Sequence, residues 1–165
     1  MSALKKLNQY VNKVFLSVSV VLLAVVIIAT TLQVFTRYIL NASLSGTDEI
    51  ARFAFVWMSM LGASICVREH GHAVVSVLND ALKQRIRLQR FHQNTVELLM
   101  VIGAVILLIY GIQLVLATME QRSAGLGIPI SFTYACIPVG AAGMILNGIV
   151  NVMDSGANKK GGAAE

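Results

Sequence analysis

Four stretches of this chain are apolar for long enough to cross a lipid bilayer, and nothing else in the sequence constrains the fold as strongly. Residues 14–35, 96–119 and 128–153 each meet or exceed the roughly 20 residues that span a hydrocarbon core. Residues 50–67 form a shorter run with Arg52 inside it, which as a helix still rises about 27 Å. Only 13% of the 165 residues are charged, against about a quarter in an ordinary soluble domain, and the mean hydropathy is +0.74. The expected fold is an all-α integral membrane protein with four transmembrane helices, at about 14–36, 49–68, 96–119 and 128–153. These form one domain, residues 1–153, followed by a disordered polar tail over 154–165. The first tract is too long for the h-region of a secretory signal, and no small-x-small cleavage site follows it.

The Lys and Arg residues are distributed unevenly, and their placement sets an expected orientation. Ten of the thirteen lie before the first span, between the second and third, or after the fourth: Lys5, Lys6, Lys13, Arg68, Lys83, Arg85, Arg87, Arg90, Lys159 and Lys160. The other two connections hold Arg37 and Arg122, and Arg52 sits at a helix start. The positive-inside bias therefore places both termini in the cytoplasm. On this reading the basic pI of about 9.5 reports topology, and no alternation of aromatic and basic residues points to nucleic acid. Cys66 and Cys136 are expected at different depths, which opposes a disulfide and the paired-thiol chemistry of a membrane oxidoreductase.

The connection between the second and third spans has a pattern of its own. Over about residues 73–92, Ser76, Asp80, Lys83, Arg87 and Arg90 recur three or four apart, while Val75, Leu78, Leu82 and Ile86 form an apolar stripe. Such a helix suits the membrane interface, with Lys83, Arg85, Arg87 and Arg90 directed to lipid headgroups. On the other side, Thr47 or Asp48 can cap the second helix, Gly125 and Gly127 suit a turn, and Pro129 suits the first turn of the fourth helix.

Residues able to carry chemistry are scarce inside the spans. A self-sufficient pump or transporter needs ionisable groups at mid-membrane, yet all eight acids lie in tails, connections or helix ends. No inverted repeat is visible. His70, Gly71 and His72 lack the i, i+4 spacing of a zinc helix and better suit the carboxyl end of the second helix, near its free carbonyls. No catalytic residue, metal site, cofactor, substrate site or ion site is therefore expected in this chain. Instead, Ala104, Gly111 and Thr118 recur at seven, and Gly140, Gly143, Asn147 and Asn151 at three or four. Small and amide residues so spaced let membrane helices approach and bond. Four such helices offer more apolar surface than they can bury among themselves, so a protein partner in the membrane is expected. Glu49 and Arg52, three apart, share a helical face and can pair near the interface, while Trp57 lies about 12 Å deeper as a packing anchor.

The block "EIARFAFVWMSMLGASICVREHGH", with Glu49, Arg52, Trp57, Gly62, Arg68 and His72, resembles the signature of the small membrane subunit of tripartite ATP-independent periplasmic (TRAP) transporters. Arg37 and "LGIPISFTYACIPVG", with Tyr134, Pro138 and Gly140, are similar to the same family. The resemblance covers essentially the whole chain apart from its tails. It implies a multi-pass protein of the bacterial inner membrane that scaffolds a much larger, separately encoded elevator-type permease. That partner would carry the sodium and substrate sites, and a periplasmic binding protein would deliver an organic acid. Family analogy offers sialic acid, which is preferred here, and C4-dicarboxylates. The residues quoted become candidates for structure or for partner contact. The alternative function is a non-transport scaffold or sensor subunit that recruits a cytoplasmic partner through the amphipathic helix.

Overall fold

The computed structural model describes residues 2–39, 45–68 and 86–161. Five helices account for nearly all of them: α1 (Ser2–Ile39), α2 (Ser45–Arg68), α3 (Ile86–Ala117), α4 (Ile130–Tyr134) and α5 (Cys136–Gly161). Among the described residues, four spans are long and apolar enough to cross a membrane: Leu4–Ile39, Gly46–Arg68, Leu98–Ala117 and Ile130–Met153, the last made of α4 and the first part of α5. The four-helix membrane architecture expected from the apolar tracts is therefore present. The first turns of α1 meet α5 around Asn147 at one end of the layer, and the α3–α4 loop lies at the other, beside the start of α2.

The boundaries differ from expectation in physically informative ways. Helix α1 begins at Ser2, well before residue 14, because Asn8 and Asn12 are buried within the fold. Helix α3 begins at Ile86, so residues 86–92, expected at the end of a separate interfacial helix, are continuous with the third span. The rest of that amphipathic segment lies outside the described residues. The final helix runs to Gly161, through a stretch expected to be a disordered tail. The second helix starts at Ser45, which puts Thr47 and Asp48 inside its first turn, where Asp48 complements the positive end of the dipole.

The fourth span is broken at Ala135. Pro138 has no N–H with which to reach the Tyr134 carbonyl, so the ladder is interrupted one turn upstream of the ring. The flanking bonds Ala135 N–H to Ser131 O (2.9 Å) and Val139 N–H to Ala135 O (3.3 Å) bridge the break.

Packing makes a layer of helices, not a closed bundle. Helix α1 packs on α2, α2 on α5, and α5 on α3, while α1 and α3 share no substantial contact. The inner helices approach closely where side chains are absent. A Cβ on Gly140 would lie 2.9 Å from the Met60 carbonyl oxygen, and one on Gly148 would lie 2.7 Å from Val101. On Gly111 it would press on Ile137 at 2.8 Å, and on Gly143 it would collide with Ser64 and the Phe15 ring. Ala104 and Thr118 are buried too, so the seven-residue stripe of α3 is used within the chain.

Buried amides lock the end where α1 begins. Asn147, 1% exposed, donates to the Ser64 carbonyl (2.7 Å) and exchanges hydrogen bonds with Asn12 (2.7 and 3.1 Å). Asn12 also donates to Asn8 (2.8 Å), and Asn151 donates to the Val67 carbonyl (2.8 Å). One side chain thus ties α5 to both α1 and α2. In hydrocarbon an unpaired amide has no water to turn to. Asn147→Ala should lower stability by about 1–3 kcal/mol, the usual penalty for stranding buried polar partners. Reversible denaturation in detergent or bicelles measures it, and Asn12→Ala should add less to that variant than to the parent.

Candidate functional site

The charged start of α2 is organised by the loop between α3 and α4. In that loop Arg122 and Pro129 form an antiparallel bridge, with Ser123 N–H to Ile128 O (2.9 Å) and Ile130 N–H to Gln121 O (2.9 Å). Gly127 turns the chain at φ 65°, a conformation that favours glycine, and its carbonyl accepts from Arg122 (3.1 Å). The tip of this turn presents the N–H groups of Gly125 and Leu126 to the Glu49 carboxylate, at 2.8 and 2.9 Å. A Cβ at Gly125 would lie 3.1 Å from that carboxyl carbon, so glycine keeps the turn close enough for both bonds.

Arg52 does not pair with Glu49 as the sequence suggested. Its guanidinium donates to Asp48, one turn earlier, at 2.7 Å. The reason is competition: i, i+3 and i, i+4 carboxylates both lie within reach of Arg52, and the loop amides have already engaged Glu49. Asp48 also accepts from Gln33 of α1 at 3.3 Å, so neighbouring acids tie α2 to two different elements.

Trp57, two turns further into α2, is half-buried and anchors the break in the fourth span. Its indole N–H donates to the Phe132 carbonyl (3.2 Å), and the two rings lie 5.6 Å apart in a tilted arrangement. Tyr134 ends α4, Pro138 sits in the first turn of α5 against Gly111, and Gly140 meets the α2 backbone. Trp57 with Phe132 and Gly140 with Met60 thus join α2 to the broken span, while Pro138 joins that span to α3.

Other candidates remain apart. Arg37 is exposed in the last turn of α1, and Arg68 closes α2 at the opposite end of the layer. Gly62 has open space where a Cβ would be, so it is free of the internal packing that constrains Gly140. His72, Lys83 and Arg85 lie outside the described residues, as do the other two histidine-motif positions. Arg87 and Arg90 fall in the first turns of α3. Cys66 is an exposed thiol and Cys136 a buried one, both free. Sequence reasoning missed Asp48 as the partner of Arg52, and it missed Gln33, Asn8, Asn12 and the loop amides. For Asn8 and Asn12 a signal was present in their i, i+4 spacing ahead of the apolar tract.

The surface that remains is apolar. Only 11% of the most apolar window is buried in both α1 and α3, against 44% in the fourth span. On α1 the exposed side includes Val20, Ile28 and Phe35, and on α3 Leu99, Ile109 and Leu116. Chemically this arrangement offers two oily flanks and one rigid polar end, with no charged side chain between residues 53 and 67, 98 and 119, or 128 and 153.

A family described as tripartite ATP-independent periplasmic transporters, DctQ component, matches residues 26–155. The chain belongs to this TRAP transporter family. It is thus a small TRAP permease subunit, in a family of transporter components and not of enzymes, and a multi-pass protein of the bacterial inner membrane. Among curated relatives it is similar to the sialic acid TRAP transporter small permease protein SiaQ of Vibrio cholerae, at 30% identity over 91% of this chain and 87% of that protein. A putative TRAP transporter small permease protein of Haemophilus influenzae is 34% identical over 48% of this chain and 49% of that one. The sialic acid TRAP transporter permease protein SiaT of Haemophilus influenzae is 27% identical over 65% of this chain, a match that occupies 17% of SiaT.

The geometry ranks two substitutions in this TRAP subunit. Glu49→Ala should lower the thermal midpoint more than Arg52→Ala does, because it releases the loop tip from α2. Proteolytic cleavage within 119–129 should rise in the first variant only. Double-mutant cycles should give about 0.3–0.5 kcal/mol of coupling for Asp48 with Arg52, the value of an exposed i, i+4 pair, and less for Glu49 with Arg52.

Proposed function

We propose that the chain is the immobile scaffold of a TRAP transporter, holding a large elevator-type permease in sodium-coupled uptake of an organic acid. The carrying observation is the combination of two broad apolar flanks with spans that hold no mid-membrane charge. Ion-coupled transport needs polar or ionisable groups along its pathway, and the residues that would supply them belong to the partner. The exposed sides of α1 and α3 offer a partner the van der Waals contact that joins membrane proteins. In SiaT a region similar to this chain lies within a much larger permease protein, which supports an intimate association between the two kinds of segment.

The remaining parts of the reading follow from charge and from the relatives. Ten of thirteen Lys and Arg residues flank the ends that carry the termini, which favours a cytoplasmic location for both. The α3–α4 loop and the start of α2 then face the periplasm, on the side from which a binding protein would deliver substrate. Sialic acid is the preferred substrate, on the similarity to SiaQ. The basic segment containing Lys83, Arg85, Arg87 and Arg90 would meet anionic headgroups on the cytoplasmic side.

Reconstitution tests this function. Liposomes holding this chain alone should show no sodium-dependent uptake of sialic acid, whereas liposomes holding it with the large permease and the binding protein should accumulate it. Uptake by the chain alone would overturn the scaffold reading, and equal uptake by the permease without this chain would show that no scaffold is needed.

A further inference from the structure

Two side chains within the third span carry hydrogen-bonding groups, and both lie outside the chain's own packing. Tyr110 is 66% exposed, Gln113 is exposed, and neither is hydrogen-bonded among the described residues. They share one stripe of α3 with Gly103, Ile106 and Ala117, at alternating spacings of three and four. That is the repeat of a seam that keeps one side of a helix toward a neighbouring helix. The stripe lies away from the side of Ala104, Gly111 and Thr118, which is buried against the broken span.

Depth decides what can satisfy these groups. The span Leu98–Ala117 has 20 residues, about the thickness of a hydrocarbon core. At 1.5 Å per residue, Gln113 is about 6 Å and Tyr110 about 10 Å inside its Ala117 end. Helix side chains lean toward the N-terminus, so both lean from that end toward the middle of the bilayer and do not snorkel to the nearer headgroups. Acyl chains offer no hydrogen bond at that depth, whereas a polar side chain of another membrane helix does. Gly103 permits the approach: a Cβ there would meet nothing within 4 Å, so the described chain leaves a notch at that point of the stripe.

Helix α1 carries no equivalent demand. Its Gln33 donates to Asp48 (3.3 Å), and Thr30 turns back to the Val26 carbonyl (2.7 Å). The remaining polar side chains of residues 14–35 are hydroxyls, which are able to turn back in the same way.

We propose that α3, and not α1, is the flank that meets the large permease, along Gly103, Tyr110 and Gln113, against a membrane helix that presents a polar side chain level with Gln113. This contact presupposes the pairing with a permease proposed above and narrows it from two flanks to one, leaving α1 to the lipid.

Photocrosslinking in the membrane locates the contact. Benzoylphenylalanine is placed at Ile106 of α3, or at Val20 or Ile28 of α1, in the full chain co-expressed with the large permease. Ile106 should crosslink to the permease, and the α1 positions should not. Gly103→Leu and Gln113→Leu should not lower the thermal midpoint of the chain alone, because neither residue is used inside it. Capture of the permease should weaken about threefold in Gln113→Leu, the typical worth of one interhelical hydrogen bond in a membrane, and further in Gly103→Leu. Crosslinking from α1 without crosslinking from Ile106 would overturn the proposal and leave the scaffold reading intact, as would crosslinking of Ile106 to a second copy of this chain only. Unchanged capture in both variants would overturn it too. Failure of the unsubstituted chain to hold the permease at all would overturn the scaffold reading itself, and this contact with it.

Discussion

The double hydrogen bond between Asn12 and Asn147, extended to the Ser64 carbonyl, is the interaction on which the rest of the layer depends. In lipid there is little hydrophobic gain when one apolar helix meets another, so association rests on close packing and on polar bonds that cannot be exchanged for water. Asn147 can reach Ser64 only because Gly143, one turn earlier, lets α5 lie almost against α2. The same approach brings Gly140 against the Met60 carbonyl. Glycine spacing and amide bonding are therefore one device: the first makes the distance short, and the second makes the register unique.

This device secures α2 and α5 at the centre and leaves α1 and α3 as flanks. At the opposite end, a different chemistry holds the layer together, with a turn of backbone amides clasping Glu49 and an indole pinning the break before Pro138. Neither end contains a group that changes charge in the middle of the membrane. A protein built in this way presents broad apolar surface, which suits the scaffold role proposed for it.

Much of this was legible in the sequence. The four spans follow from the length of the apolar runs, and the anchoring position of Trp57 from its depth along α2. The glycine and asparagine spacing of the last helix foretold close contact, although not that the contacts would be spent within the chain. Three features were not legible. Asp48 and Glu49 are equally placed on α2 to meet Arg52, and a loop 76 residues away decides between them. Asn8 and Asn12 look like solvated tail residues until a partner amide on α5 is known. The break at Ala135 was within reach, since Pro138 lies too far inside the span to be a harmless first-turn proline of one continuous helix.

The order of helices, α1 beside α2, α2 beside α5 and α5 beside α3, is the central claim, because it creates the two flanks. Spin labels at Val20 of α1 and Ile109 of α3, both exposed and at similar depth, test it by electron–electron double resonance on the chain in nanodiscs. With helix axes about 8–10 Å apart across neighbouring contacts, an open layer predicts a separation centred beyond about 20 Å. A single population near one interhelical spacing, about 10 Å, would mean that α1 and α3 close on each other, and would contradict the account.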